Sequence, residues 1–348
     1  MSDTAISDSV QNYYGKVLKS SQDLKTSACC TLDAMPLHLR TFLADIHPEV
    51  VSRYYGCGSP LPPALEGCTV LDLGCGTGRD CYLLSRLVGE SGKVIGIDMT
   101  DEQLEIAKRH CDWHAERYGY ANSNVEFVQG YIEDLATAGI ADNSVDVVVS
   151  NCVVNLSPDK RQVLSEILRV LKPGGEIYFS DVYADRRIPQ ALKMEPVLLG
   201  ECLGGALYWE DFRRIMQDLG CPDVRIIKNS PIALEDPEVI DKIGMVTFSS
   251  ITIRAFKIPL EDRCEDFGQI AIYKGTLTEH PHAFDLDDHH HFETGKPMLV
   301  CGNSADMLAS TRYSKHFEII GDKSTHFGLF DCGPDNTGMS SESGAACC

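Results

Sequence analysis

The stretch "TVLDLGCGTGRD", residues 69–80, decides the fold. "TVLDLG" is a short apolar run of strand type, and Gly74, Gly76 and Gly78 follow at alternate positions. Apolar Tyr82, Leu83, Leu84 and Leu87 then recur at helical spacing. A strand, a glycine turn and a helix in that order let a ligand approach the backbone with a helix N-terminus behind it. Working outward, "GKVIGIDMT" (92–100) is a second strand whose end carries Asp98, a carboxylate able to accept both hydroxyls of a ribose. A helix is predicted from Thr100, with Gln103 completing a capping box and Leu104, Ile106, Ala107 and Cys111 on its apolar face. "NVEFVQGYIEDL" (124–135) and "VDVVVSN" (145–151) supply strands three and four. "RQVLSEILRVLKPGG" (161–175) reads as a helix stopped by Pro173 and two glycines, and "EIYFSDVY" (176–183) as a fifth strand. Strands alternating with helices imply an α/β fold with a doubly wound parallel sheet over about residues 65–183.

The chain has 348 residues and a net charge of −20, which repels phosphate backbones and anionic lipid, so no nucleic acid and no membrane partner is expected. No apolar run reaches the roughly 18 to 20 residues of a membrane span. The start "MSDTAISDSVQNYY" lacks the basic and apolar parts of a secretory signal. A cytoplasmic location follows as the expectation, and the 15 cysteines are expected to be mostly thiols.

The glycine spacing departs from the dinucleotide fingerprint G-x-G-x-x-G, whose third glycine falls one residue later than Gly78. "VLDLGCGTG", with Asp72 ahead of the loop, and "VLKPGG" before strand five instead resemble the Rossmann-like class I methyltransferases that use S-adenosylmethionine. That resemblance implies that Gly74, Gly76 and Gly78 pack under the methionine and ribose parts of the cofactor. It implies further that Asp98 holds the ribose with Met99 beside the adenine, and that Ile132 and Glu133 stand near the adenine ring.

The acceptor is constrained by chemistry. An oxygen or nitrogen acceptor often needs a base to remove its proton. Strand four, however, ends in "SNCVVNL" (150–156), which has no histidine near it and offers the thiol of Cys152. Cys57 in "RYYGCGSP" and Cys202 in "GECLGGALYW" share its setting among small residues, whereas Cys68, Cys81 and Cys111 sit in apolar runs and read as structural. Cys75 reads as packing within the loop. With no C-x-x-C anywhere, a local zinc module is disfavoured. Three dispersed thiols that converge would suit a soft centre. Trivalent arsenic is such a centre, and its lone pair needs no deprotonation before it attacks a methyl group.

At this point the resemblance becomes specific. "YYGKVLKSSQDLKTSACC", "VSRYYGCG", "LDLGCGTGRDCYLLSRLVGE", "GKVIGIDMT", "SNCVVNLSPDK", "LKPGGEIYFSDVY" and "GECLGGALYW" together resemble the arsenite methyltransferase family over about residues 13–215. The resemblance implies four regions: an N-terminal helical segment with redox cysteines (1–60), a cofactor-binding domain (61–185), an arsenic-binding domain (186–275), and a C-terminal domain with a flexible Cys-ending tail (276–348). It implies that Cys152 and Cys202 are permanent arsenic ligands. Cys57 would be the third thiolate and could form a disulfide with the N-terminal cysteine, which falls on the pair Cys29-Cys30. Tyr55, Arg79 and Asn151 would complete the cofactor pocket. Arsenical thiol conjugates would be methylated once and twice, with some trimethylated gas, by a monomer whose thiols thioredoxin or glutathione restores. No metal cofactor is implied, since arsenic is the substrate. The rival readings are a methyltransferase for a small quinone-like carbon acceptor and an arsenic-sequestering protein without activity. "DDHHHF" (287–292) reads as a solvated loop, the terminal Cys347-Cys348 as a dispensable tail, and Asp181 and Glu201 as groups that tune thiols or order a loop.

Overall fold

In the computed structural model the described residues are 11, 37–54, 56, 60–189, 192, 198, 203–234 and 237–331. Two short helices, α1 (Leu37–Leu43) and α2 (Pro48–Val51), precede the alternating run. It comprises β1 (Thr69–Leu73), α3 (Arg79–Val88), β2 (Lys93–Asp98), α4 (Asp101–Arg109), α5 (Cys111–Tyr118), β3 (Val125–Gln129), β4 (Val145–Asn151), α6 (Lys160–Val170) and β5 (Leu171–Ala184). Strands β1 to β5 pair in parallel in the order β3-β2-β1-β4-β5, as the alternation predicts. Both faces of that sheet are covered. Along β1, Leu71 and Leu73 bury on one side and Val70 on the other, so two apolar cores form back to back.

Three local expectations change. The predicted helix at 161–175 ends at Val170, because Lys172 precedes Pro173 and is steered to extended backbone; β5 begins at once. The helix from Thr100 breaks at His110 into α4 and α5. Thr100 is the N-cap but makes no capping bond with its side chain; its hydroxyl and its amide both go to Asp98.

Beyond β5, the chain forms β6 (Leu207–Tyr208), α7 (Trp209–Asp218), β7 (Val224–Ile232), α8 (Pro237–Ile243) and β8 (Phe248–Phe256). β8 pairs antiparallel with β5 and β7 with β8, so these strands extend the central sheet. Next come β9 (Glu265–Asp266), β10 (Gln269–Tyr273), β11 (Ala283–Asp285), β12 (His291–Glu293), β13 (Pro297–Val300), α9 (Gly302–Ala309) and β14 (Phe317–Ile320). Pairing does not follow a boundary at 275/276: β10 lies between β13 and β14 and belongs with the C-terminal residues. Aromatic packing explains this, since Tyr273, Phe284, Phe292 and Phe317 share one core.

The C-terminal unit is tied to the sheet by buried ion pairs. Arg254 donates to Glu176 (2.5 Å) and to the carbonyl of Leu286 (2.6 Å), Arg312 pairs with Glu176, and Arg225 reaches Asp287 (3.0 Å). "DDHHHF" is therefore not a solvated loop. Asp287 is buried, its carboxyl held well below the usual range by His290 and Arg225, and His290 is buried beside it. Asp288, His289 and His291 face solvent. Among the described residues no helix is long and apolar enough to cross a membrane.

Candidate active site

β1 and β4 are neighbours at the centre of the sheet, and the chain leaves them in opposite directions, to β2 and to β5. A crevice opens beyond the carboxyl ends of strands at such a switch point. Here it is a cavity of ≈ 1060 Å³, counting the solvent at its mouth.

The glycine loop forms one wall. Gly74 has φ +68°, and a β-carbon there would strike the side chain of Val153, which follows Cys152. Gly76 has φ +53°, and a β-carbon on it would meet no described atom within 4 Å, so this side of its backbone is open to the cavity. The amides of Gly74 and Cys75 donate to the Ile97 carbonyl (2.8 and 3.0 Å), which hangs the loop on β2. Asp98 accepts from the amides of Gly76 (2.9 Å) and Thr100 (2.8 Å). Burial raises its carboxyl, and those backbone donors pull it back down. Asp72, 3% exposed, accepts from the Cys81 thiol (3.2 Å), and burial with Asp80 nearby raises it well above the carboxylate range.

Asp72, Gly74, Gly76, Arg79, Asp98, Met99, Ile132, Glu133, Asn151 and Cys152 all line this one cavity. Gly78 stands one step back as the left-handed N-cap of α3, packed against Phe127. Tyr55, Cys57, Cys202, Cys29, Cys30, Glu201 and the Cys347-Cys348 pair lie outside the described residues.

Two wall residues escaped the sequence reading. Asp80 pairs with Arg79 (2.6 Å) and accepts from Asn151 Nδ2 (3.0 Å). Tyr54 accepts a second bond from Asn151, and the Arg79 guanidinium lies over its ring at 3.1 Å. The cluster joins the glycine helix to the end of β4. Its one sequence signal was the acid next to Arg79 in the first turn of α3, which reads equally well as a complement to the helix dipole. Gln11 adds a bond from its side chain to the Met99 carbonyl (3.0 Å) at the edge of the cavity.

Cys152 sits where β4 ends. Its φ of +61° is costly for a residue with a β-carbon, and such strain concentrates at functional sites. Its amide donates to the Ser180 carbonyl (2.8 Å), and its side chain, 3% exposed, packs with Val182, Leu203, Ala206 and Phe248. Cys152 is disulfide-bonded, whereas Cys68, Cys75, Cys81, Cys111 and Cys221 are free thiols. The expectation of Cys152 as a permanent ligand therefore needs one addition: its sulfur must first be reduced.

Asp181 supports the turn after Cys152. Its carboxylate accepts from the Asn155 amide (3.1 Å), Asn155 Nδ2 (2.7 Å) and the Val182 amide (2.8 Å), while burial pushes its pKa up to about 7. A folded pKa above the unfolded value means that this group's stability contribution falls as pH rises from about 4 to 7 and is then constant. Asp181→Asn would turn an amide NH₂ toward one of three N–H donors. Loss of about 2 kcal/mol is expected, read as a lower midpoint in urea at pH 5, before most of the group's contribution is lost. An unchanged midpoint would show the carboxylate to be dispensable.

A cavity with a half-buried carboxylate at the end of β2, a glycine loop and apolar side chains fits S-adenosylmethionine by its donor set, and with the sheet it defines a Rossmann-like, S-adenosylmethionine-dependent methyltransferase. Family models agree, matching a methyltransferase domain at residues 64–220 and an arsenite methyltransferase C-terminal domain at 268–337. An arsenite methyltransferase of Aquipseudomonas alcaligenes is 57% identical over 94% of each chain. The human arsenite methyltransferase is 46% identical over 92% of this chain and 86% of its own. The crystal structure of CrArsM, an arsenic(III) S-adenosylmethionine methyltransferase from Chlamydomonas reinhardtii, superposes with a TM-score of 0.83 at 53% identity, covering 86% of this chain and all of that one. The chain belongs to the arsenite methyltransferase family. Membership favours arsenic over the quinone-like acceptor and an enzyme over a sequestering protein.

Proposed function

We propose that Cys152, Cys202 and Cys57 bind trivalent arsenic as three thiolates at the mouth of the cofactor cavity, for methylation to mono- and dimethylarsenicals with some trimethylated product. What supports this is the placement of the cysteines' immediate neighbours. Gly56, next to Cys57, lines the cavity, and a β-carbon on it would strike Tyr54 and Asn151. Leu203, next to Cys202, shares one apolar cluster with Cys152, and Gly205 packs so closely on the Asn155 carbonyl that no β-carbon fits.

The bound cofactor supplies an electrophilic methyl on a sulfonium. The chain's residues do the rest. Asp98 accepts from the ribose, Ile132 and Glu133 flank the base, and the Arg79–Asp80–Asn151–Tyr54 cluster fixes the wall between cofactor and thiols. The apolar surround of Cys152 keeps water from the arsenic. Thiols displace the carrier thiols of an arsenical conjugate one for one, with no base required. Methylation raises arsenic formally to the pentavalent state, and two enzyme thiols return it to trivalent by forming a disulfide. Cys57 with Cys29 or Cys30 is the proposed pair, and thioredoxin or glutathione the reductant. The role is arsenic detoxification in the cytoplasm by a monomer.

Cys57→Ser tests the assignment. Arsenite, which takes three thiolates, should be methylated at least ~100-fold more slowly, while methyl transfer to monomethylarsenite, which needs two, should keep its rate within a few fold in a single turnover. Loss of both activities in a folded variant would overturn this division. Because Cys152 is disulfide-bonded, protein kept without a thiol reductant should methylate no arsenite until reduced.

A further inference from the structure

Two thiols that this mechanism does not use lie under the glycine loop. Cys75 stands between Gly74 and Gly76, lines the cavity and is 8% exposed. Cys81, on α3, is fully buried. Both side chains turn toward Gly96 in β2: a β-carbon there would lie 2.7 Å from the Cys81 sulfur and 2.9 Å from the Cys75 sulfur. The two thiols hydrogen-bond each other, and Cys81 also donates to Asp72. Their sulfurs therefore meet over Gly96, where no β-carbon fits, so an atom that bridges them has to push the loop away from the strand. Burial pushes the Cys75 thiol up to about 11 and Cys81 well above its usual value, so both stay protonated at neutral pH. Alkylation and oxidation, which need a thiolate, are slow for such a pair. Exchange with a hydroxylated arsenical is not so restricted, since each thiol proton leaves with one arsenic-bound hydroxyl as water.

We propose that Cys75 and Cys81 form a second, inhibitory site for trivalent arsenicals that carry two exchangeable ligands. In the balanced step, two S–H bonds and two As–OH bonds break, two As–S bonds form, two waters leave, and arsenic stays trivalent. The seat lies between the loop and β2, two residues from Asp98. An arsenic atom there separates the loop from the strand and breaks the bond from the Gly76 amide to Asp98, so it opposes cofactor binding. Arsenite and monomethylarsonous acid qualify as ligands. Dimethylarsinous acid, with one exchangeable group, cannot bridge the pair. Excess substrate and first product would then slow turnover by raising the demand for S-adenosylmethionine. The proposal rests on trivalent arsenic being the substrate, which arsenite turnover by the unaltered protein checks separately.

The test uses reduced, full-length Cys152→Ser protein, so that the catalytic thiol set is incomplete. S-adenosylmethionine binding is measured by calorimetry with and without saturating monomethylarsonous acid. The arsenical should weaken it about tenfold or more, and dimethylarsinous acid should leave it unchanged. In Cys81→Ala on the same background, the arsenical should have no effect. Should that variant not fold, mass spectrometry of the parent decides the matter. Cleavage after Arg79 should leave two peptides joined by one arsenic, because Arg79 lies between the two cysteines. An affinity unmoved by monomethylarsonous acid, an equal loss in Cys81→Ala, or the absence of a bridged pair would overturn the proposal.

Discussion

Cys152→Ser is expected to lower methylation of both arsenite and monomethylarsenite by at least ~1,000-fold, about 4 kcal/mol in the barrier, while S-adenosylmethionine still binds. A serine hydroxyl is a hard donor that stays protonated at neutral pH and does not hold a soft centre. Against the reduced parent, in which the Cys152 disulfide is already open, the exchange is otherwise gentle. Serine carries the same β-carbon into the same left-handed backbone at φ +61°, so strain is unchanged. Its amide keeps the bond to the Ser180 carbonyl, and the Asn155–Asp181 clamp on the following turn is not touched. One hydroxyl enters an apolar cluster at a cost of about 1–3 kcal/mol, which thermal melting would register separately. Equilibrium arsenic binding to the reduced variant, followed by speciation of any product, separates lost ligation from lost folding. A folded Cys152→Ser protein that methylates either arsenical within tenfold of the parent would remove Cys152 from the ligand set.

The alternating core was legible because its signals are local. Apolar runs of five to seven residues, glycine turns and helical spacing each lie within one window, and β1 through β5 pair as those signals imply. Asp98 was legible for the same reason, standing at a strand end. What escaped depends on contacts distant in sequence. Glu176 draws Arg254 and Arg312 from far along the chain, and nothing near Glu176 announces either. His290 looked solvent-bound inside a run of acids and histidines, yet Arg225, on a strand of the central sheet, buries Asp287 and with it His290. Asp80 was hidden by ambiguity instead. An acid in a first helical turn has a sufficient local explanation, and only its bond to Asn151, 71 residues away, reveals the wall they form. Cysteine burial alone does not sort the thiols either. Cys152 and Cys81 are both buried, and what distinguishes Cys152 is its place at a strand end with left-handed backbone.

Asp98→Ala should weaken S-adenosylmethionine binding by roughly 100-fold, about 3 kcal/mol, and leave arsenical binding to the reduced protein near the parent value. Two losses combine. The ribose loses a charged acceptor, which contributes about 1.5–3 kcal/mol. The loop loses its anchor as well, since the Gly76 and Thr100 amides both donate to this carboxylate, and in the alanine variant they face a cavity without a partner. Asp98→Asn separates the two contributions. An amide can accept through its oxygen from one of those N–H groups, but it presents NH₂ where the carboxylate had a second acceptor, so an intermediate loss of about tenfold is expected. The contrast with Cys152→Ser carries the argument for a divided site. One variant should bind cofactor and fail on arsenic, the other should bind arsenic and fail on cofactor, because Asp98 ends β2 and Cys152 follows β4 on opposite sides of β1. Calorimetry of both ligands on both variants checks the pattern. If Asp98→Ala bound S-adenosylmethionine within threefold of the parent, the cofactor would have to be held without its ribose acceptor, and the orientation assigned to it along the glycine loop would be wrong.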